Sequence, residues 1–410
     1  MNKPKYSIVI PVNNVINYLP STIESIVSQD YADYELIISD DNSTDGTAEY
    51  IDSLNHPNIK VLHTISRLTM AEHFNWALSH AIGEWRMFVG GDDGLQPYFF
   101  KLADRLTEIA TKKNIRAIAS RRAYFFWNGC QPVYGDVAVS YSAANKYEVK
   151  HSKREMYKVL YSKTPCGYFE LPQMYTVSLF HVSLINEIKQ KQNGIVINYG
   201  IADAFLAALS LCIEKKYIYS NIPLGWIGTS PKILEKTYTE LIISHFTMHP
   251  KCGDFKLRSN AIYYYGALLT NPFLDMKLKE KLESYSFLKK ITIYIYRELI
   301  KNKDFIKSEQ YLYFLNFLKI NNLSFDEICK KAFKIEIRDK ICKILFKPIS
   351  FVRRVIQYSL KQIHMLSKNY KYVKDCKLYI THSEYQNITL QQASSLILEL
   401  VNQHNILRGF

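Results

Sequence analysis

The sequence predicts an α/β sheet domain followed by a mostly helical half, and three observations carry that expectation. Short runs rich in β-branched and aromatic residues alternate with helical patterns through the first third of the 410 residues. The first of these runs is apolar nearly throughout, the mark of a strand buried on both faces in a parallel sheet. Beyond about residue 240 strand signals become rare, and Lys, Tyr and Leu dominate at sustained helical spacing.

The elements follow in order. Tyr6–Val12 reads as a buried strand and Tyr18–Ser28 as a helix with Leu19, Ile23, Ile26 and Val27 on one side. Tyr34–Asp40 is a second strand, Thr47–Leu54 a helix, and Ile59–His63 a third strand. Thr69–Ala81 is a helix, Trp85–Val89 a fourth strand, and Pro97–Lys113 a helix with proline in its first turn. This order implies a parallel sheet covered on both faces, and it directs attention to the residues just after each strand, where such sheets bind ligands. Further strands are expected at Ile115–Ser120 and Ala123–Trp127, helices at Val177–Ile188 and Ala202–Glu214, and a strand-like run after Lys215. The polar stretch Gly228–Thr239 reads as a loop, so the division falls into 1–240 and 241–410.

Composition narrows the class. Hydrophobic residues make up 48% and charged residues 22%, which is globular and not disordered. The start of the chain runs directly into a strand without a signal-peptide pattern, and no apolar stretch reaches the roughly 18–20 residues that span a bilayer. The 7 cysteines are scattered and form no C-x-x-C pair, so reduced thiols in a cytoplasmic protein are expected. The formal net charge of +14 raises nucleic acid, an anionic membrane or a phosphorylated substrate as partners, beside a basic composition without specific meaning. No nucleic-acid-binding motif is present.

Two acidic clusters lie at strand ends. Asp40-Asp41-Asn42-Ser43-Thr44-Asp45-Gly46 follows the second strand. Helix capping and a turn account for Ser43 to Gly46. They leave Asp40 and Asp41 unexplained, and acids there suit hydrogen bonding to a base and a ribose. Gly90-Gly91-Asp92-Asp93 follows the fourth strand. It is either a plain turn or a site where glycines admit a ligand and Asp92 and Asp93 offer oxygen to Mg²⁺ or Mn²⁺ bound to a diphosphate.

The succession Ile8-Val9-Ile10-Pro11-Val12-Asn13, then Ser39 through Thr47, then Asn75 with Ala81-x-Gly83-Glu84, then Gly90-Gly91-Asp92-Asp93 with Pro97, closely resembles the family 2 glycosyltransferases of the GT-A (Rossmann-like) fold. The resemblance covers about the first 100 residues. It implies a nucleotide-sugar donor, with Pro11, Val12, Asn13, Asp40, Asp41, Arg67, Gly91 and Asp92 on the donor side. Asp40 would bond the nucleobase, Asp92 would hold Mn²⁺ or Mg²⁺ on the diphosphate, and Asp93 would assist the metal or cap the next helix. It also implies a catalytic base at the start of a later helix. Asp203 in Asn198–Leu206 matches that position, with Glu170 in reserve; a first-turn carboxylate favoured by the helix dipole is the plain alternative. The implied reaction inverts the anomeric carbon and delivers the sugar to a saccharide or lipid-linked saccharide, as in bacterial surface-polysaccharide assembly.

Arg121 and Arg122 follow a strand and could meet a phosphate or acceptor; Lys163–Phe169 reads as an acceptor-side loop; His245 and His249 are possible late metal ligands or ordinary histidines. In the second half, 340–347 and 351–356 interleave cations with apolar residues, which suits peripheral contact with anionic lipid, a solvated bundle or a homo-oligomer contact. Two other classes stay in view. A noncatalytic GT-A scaffold is disfavoured by the intact Asp40, Asp92, Asp93 and Asp203, and a nucleotidyltransferase by the absence of Gly, Lys and Arg from 11–17.

Overall fold

In a computed structural model, described for residues 3–141, 146–164, 166–198, 202–231, 250–252, 257, 259–341, 376–381, 383 and 386–407, strand β1 (Tyr6–Val12) is buried along its whole length. It pairs in parallel with β2 (Tyr34–Asp40) on one side and β4 (Trp85–Phe88) on the other, and β3 (Ile59–His63) extends the sheet beyond β2. The register sets Val12 beside Asp40 and Asp40 beside His63, so three strand ends share one edge.

The remaining strands are β5 (Gly94–Leu95), β6 (Ala117–Ser120), β7 (Ala123–Phe126), β8 (Val137–Tyr141), β9 (Tyr147–His151), β10 (Ser178–His181), β11 (Lys216–Ser220), β12 (Gly225–Thr229) and β13 (Cys376–Ile380). The helices are α1 (Leu19–Val27), α2 (Thr47–Asp52), α3 (Met70–Ser79), α4 (Phe99–Lys112), α5 (Gln131–Tyr134), α6 (Ser152–Leu160), α7 (Val182–Lys191), α8 (Ala202–Ile213), α9 (Asn260–Leu269), α10 (Met276–Glu283), α11 (Tyr285–Leu299), α12 (Glu309–Ile320) and α13 (Leu390–Gln403), with a further helical run over 325–341. An eight-stranded sheet has the order β3-β2-β1-β4-β10-β6-β11-β9, and a five-stranded sheet the order β13-β8-β7-β12-β5.

The first four strands occupy their expected positions, but the large sheet is mixed. β10 runs antiparallel to both β4 and β6, and β9 antiparallel to β11. β10 also corrects the expected helix Val177–Ile188: its first part is strand, and α7 begins only at Val182. The cause is tertiary. The Ser178 hydroxyl donates to the Ile118 carbonyl at 2.7 Å and accepts from the Gln173 and Met174 N–H groups at 3.1 Å each. A strand filling the gap between β4 and β6 meets the pairing needs of both, which outweighs weak local helix preference. The polar stretch expected as a loop from Gly228 begins inside β12, paired with β7 through Thr229.

The chain divides into two compact units. The first takes Met1–His249, Asn260–Asp275 and Asp375–Phe410, and the second Pro250–Ser259 and Met276–Lys374. The expected boundary at 240 lies outside the described residues. The C-terminal strand and helix, grouped by sequence with the helical half, sit in the sheet unit. Leu390, Ala393, Ile397 and Val401 recur at helical spacing on α13 and are buried in the same core as β1, α1 and α4. Trp226 Nε1 donates to Ser394 Oγ at 3.1 Å, and Gln386 N to Asp136 Oδ2 at 2.7 Å. An isolated α13 would expose that stripe, so it needs this partner.

The second unit is helical where described. Phe287, Leu288, Ile291 and Ile295 of α11 and Phe314, Phe317 and Leu318 of α12 are buried, and the Tyr296 and Phe314 rings lie 5.5 Å apart. Among the described residues no helix is long and apolar enough to cross a membrane.

Because α13 completes the core of the sheet unit, Ile397→Ala should lower the stability of that unit by about 2–5 kcal/mol. Chemical denaturation followed by fluorescence of the buried Trp85 and Trp226 would measure it; a loss well below 1 kcal/mol would detach α13 from that core.

Candidate active site

The loops after β1 and β2 are knitted together at the carboxyl edge of the sheet. Asn14 N donates to Ser43 Oγ at 2.9 Å, Val15 N to Thr47 Oγ1 at 3.0 Å, and Ile16 N to Asp45 Oδ2 at 3.1 Å. Asp45 also accepts from Thr47 N at 3.0 Å and Thr47 Oγ1 at 2.6 Å. Burial pushes its carboxyl up, but these hydrogen bonds outweigh burial and hold it below the usual carboxylate range. Asn14 and Asn42 take left-handed backbone conformations at φ 53° and 58°, which asparagine tolerates.

Asp40 ends β2 and is 2% exposed. Its Oδ2 accepts from Ser43 N at 3.2 Å and lies 3.6 Å from His63 Nδ1. Its Oδ1 is buried with no hydrogen-bond partner. A buried carboxylate oxygen left so is costly unless a donor arrives. Pro11 and Val12 are buried beside it on β1.

Asp41 has a different part. Its Oδ1 accepts from Thr64 Oγ1 at 2.9 Å and Leu68 N at 3.0 Å, and its Oδ2 lies 3.3 Å from Arg67 Nη1. Its carbonyl accepts from Asn13 Nδ2 and Arg67 Nη1, each at 2.9 Å. Asp41 thus organises the loop between β3 and α3, while Asn13 and Arg67, both expected at the donor, brace it. The Arg67 side chain remains 57% exposed.

The turn after β4 splits its two acids. Asp92 is half-buried, and its carbonyl accepts from Trp127 Nε1 at 2.7 Å. Asp93 is 3% exposed, and both its oxygens are taken by protein donors. Oδ1 accepts from Gly228 N at 2.7 Å, and Oδ2 from Gly90 N at 3.1 Å and the Thr176 hydroxyl. Burial and the neighbouring Asp92 charge push its carboxyl up to about 7 against these bonds. The Thr22 hydroxyl, shared between the carbonyls of Gly91 at 3.0 Å and Asp93 at 2.6 Å, closes the turn from α1. A Cβ on Gly91 would sit 2.9 Å from Val15 Cγ2 and 3.1 Å from Val12 Cγ1, so this glycine lets the two loops touch. Among the described residues no three His, Cys, Asp or Glu side chains gather as a metal cage.

Asp203 stands in a second cluster, in the first turn of α8. Its Oδ1 accepts from Ala204 N at 2.8 Å, and the Tyr168 hydroxyl reaches it at 3.5 Å. The next residue, Phe169, accepts at its carbonyl from Arg122 Nε at 3.3 Å and lies with its ring 4.3 Å beneath the guanidinium. Burial raises the Asp203 carboxyl, opposed by the Ala204 N–H and the Arg122 charge. Glu170 follows in the same 3-10 turn, half-buried. Beyond Arg122, the Tyr124 and Phe126 rings lie 6.3 Å apart at 12°, and Phe126 and Tyr134 5.1 Å apart at 18°. Residues 199–201, His245, His249, Arg353 and Arg354 lie outside the described residues.

The family model described as glycosyl transferase family 2 matches residues 7–125, the stretch that carries β1 to β4 and both acidic turns. Residues 7–125 belong to that family. The large mixed sheet is accordingly the GT-A sheet expected from the sequence. A glycosyltransferase of PGL/p-HBAD biosynthesis from Mycobacterium tuberculosis is 34% identical over 113 residues, 27% of this chain and 42% of that protein. Glycosyltransferase GlyG of Streptococcus pneumoniae is 35% identical over 89 residues, 21% of this chain and 30% of that one. The chain therefore matches less than half the length of either relative. Among solved structures, S. aureus TarS is 17% identical with a TM-score of 0.43, covering 77% of this chain and 49% of that one. Mannosyltransferase PcManGT from Pyrobaculum calidifontis is 15% identical with a TM-score of 0.42, covering 78% and 87%.

Several residues that shape the site are unmarked in the sequence. Asn75, noted only within a motif, accepts from Val196 N at 2.9 Å and Ile197 N at 3.0 Å, and donates to the Ile197 carbonyl at 2.7 Å. It fixes the chain that leads into α8. Trp127, Thr22, Thr176 and Gly228 hold the Asp92–Asp93 turn from four separate segments, and no local pattern marks them. A Cβ on Gly228 would lie 1.6 Å from the Asp92 carbonyl oxygen, so only glycine fits.

Asp93→Asn would turn an amide N–H toward donors already in place. It should cost about 1–3 kcal/mol of stability and lower the melting temperature. Asp92→Asn, half-exposed, should leave the melting temperature within about a degree, since surface substitutions fall within roughly 0.5 kcal/mol. Equal melting temperatures for the two variants would remove Asp93 from its structural role.

Proposed function

We propose that this protein is an inverting glycosyltransferase that moves a sugar from a UDP-type nucleoside-diphosphate donor to a saccharide or lipid-linked saccharide in bacterial surface-polysaccharide synthesis. The observation that carries the reading is the pair of acids at one sheet edge. Asp40 keeps a buried, unpartnered oxygen at the end of β2, and Asp92 presents a half-buried carboxylate after β4. The imide N–H of uracil is a donor suited to Asp40 Oδ1, with Pro11 and Val12 as apolar neighbours. Asn13, Asp41 and Arg67 brace the loop beside it, and Gly91 keeps the turn after β4 close to β1.

Asp92 fits a divalent cation. A single carboxylate with diphosphate oxygens and water is the usual shell for Mg²⁺, and Mn²⁺ accepts the same hard oxygens. When bound, the ion offsets charge on the leaving diphosphate. Asp93 contributes by aiming the turn, since its own oxygens are already engaged.

Asp203 is the proposed general base. The acceptor hydroxyl attacks the anomeric carbon as its proton passes to Asp203, and the C–O bond to the diphosphate breaks on the opposite face. Burial raises the basicity of this carboxylate, while the Ala204 N–H and the Arg122 charge limit the rise. The half-exposed rings of Tyr124, Phe126 and Tyr134, continuing from Arg122 and Phe169, suit the apolar faces of an acceptor sugar. Peripheral contact with an anionic membrane surface belongs to the same reading, since lipid-linked acceptors are met there.

Asp203→Asn should lower kcat by about 10²–10⁴-fold with UDP affinity unchanged. Asp92→Asn should abolish metal-dependent transfer, and Asp40→Ala should weaken UDP binding by about 1.5–3 kcal/mol in calorimetry. Parent-like kcat in Asp203→Asn would pass the base role to Glu170.

The acid limb of kcat should lie above the ordinary carboxylate range because the Asp203 carboxyl is raised, and activity is lost as pH falls through that value. Arg122→Gln removes a charge that lowers it, so the limb should move to higher pH. A limb that stays in place or moves down would separate Arg122 from the base.

A further inference from the structure

We propose that the exposed face of the helical run 325–341 is a docking surface for an anionic lipid bilayer. This deepens the membrane part of the reading above and is independent of its transfer chemistry. Lys330, Phe333, Lys334, Ile337, Arg338 and Ile341 recur at steps of three and four, so they lie along one side of the helix. All six are exposed, with Phe333 at 64%, Ile337 at 41% and Ile341 at 49%. The opposite side carries Ile328 and Ala332, both buried, so the helix already packs by another face.

The charges on the run are sorted in the same way. Glu327 is held by Lys289 and by Lys331 at 3.0 Å, Glu336 by Lys340 at 3.0 Å, and Asp339 by Arg297 at 2.6 Å. Arg338 touches Asp339 only at 3.9 Å, with 69% of its side chain exposed. Lys330 and Lys334 form no ion pair with an acid among the described residues. Asp326 and Glu327, the acids in line with the stripe, sit in the first turn, remote from Ile337 and Ile341.

Three cations interleaved with three large apolar side chains select the occupant. A second copy of the same face would set Lys330, Lys334 and Arg338 against their own counterparts, which costs energy in a two-fold contact. A polyanion such as nucleic acid would answer the cations and leave Phe333, Ile337 and Ile341 in water. An anionic bilayer answers both. The apolar side chains enter the boundary below the headgroups, while the long cationic stems lie along it and deliver their charge to lipid phosphates.

The test is co-sedimentation of the full chain with vesicles of phosphatidylcholine, with and without phosphatidylglycerol. Binding should require phosphatidylglycerol and fall as salt rises. The double variants Lys330→Glu/Lys334→Glu and Phe333→Ser/Ile337→Ser should each weaken it by about tenfold or more while UDP affinity stays at the parent value. All four positions are exposed, so the fold should tolerate both changes. Binding by the parent that both variants retain would place the membrane contact elsewhere and overturn this surface. Absence of parent binding, or a dimer that dissociates on Ile337→Ser, would overturn it in favour of a protein contact. Loss of UDP binding by the parent itself would sink the transferase reading and leave the vesicle result standing.

Discussion

The buried carboxylate of Asp93 is the constraint around which the sheet unit is arranged. It gathers the Gly90 N–H at the end of β4, the Gly228 N–H in β12 and the hydroxyl of Thr176 just before β10. These groups come from the two sheets and from the strand inserted between the first and second halves of the large one. Each would be an orphan without it, and a buried N–H has few other outlets. The energetic tension is visible in the carboxyl itself, which burial drives toward neutrality while three donors favour the anion. The Asp92 carboxylate owes its position to this neighbour.

The proposed donor side is pre-organised by the same principle, polar groups satisfied in advance. Asp41 and Asp45 give their oxygens to loop backbone, side-chain hydroxyls and Arg67, leaving one oxygen of Asp40 without a bond in that cluster. A site whose scaffold bonds are already made loses less freedom when ligand arrives. On the far side, Asn75 pins the approach to α8, and Tyr168 with Phe169 ties that helix start to Arg122. The proposed base and the proposed donor loops are thereby held by separate networks within one unit.

Much of this was legible in the sequence, for physical reasons. β1 to β4 follow from local pattern alone, because each is a short apolar run between helical repeats. The placement of Asp40 and Asp92 at strand ends and of Asp203 at a helix start also follows from local pattern. Asp41 and Asp93 look the same as their neighbours in sequence, and only the direction of the side chain shows them to be braces. β10 was hidden because its residues fit a helix until the slot between β4 and β6 is known. Trp127, Thr176 and Gly228 act on a turn 35 to 135 residues away, beyond any local periodicity.

The return of β13 and α13 to the sheet unit bears on how the chain is made. The helical unit is spelled out in two pieces between the three stretches of the sheet unit, and Leu390, Ala393, Ile397 and Val401 emerge from the ribosome after all of it. Until then the groove of α1 and α4 that receives them faces water. Domains normally mature from the amino end as synthesis proceeds. Here β1, α1 and α4 must wait for α13, so a nascent chain carries an incomplete core until those residues are made, and a gene fragment cut before β13 encodes a sheet unit with an open seam.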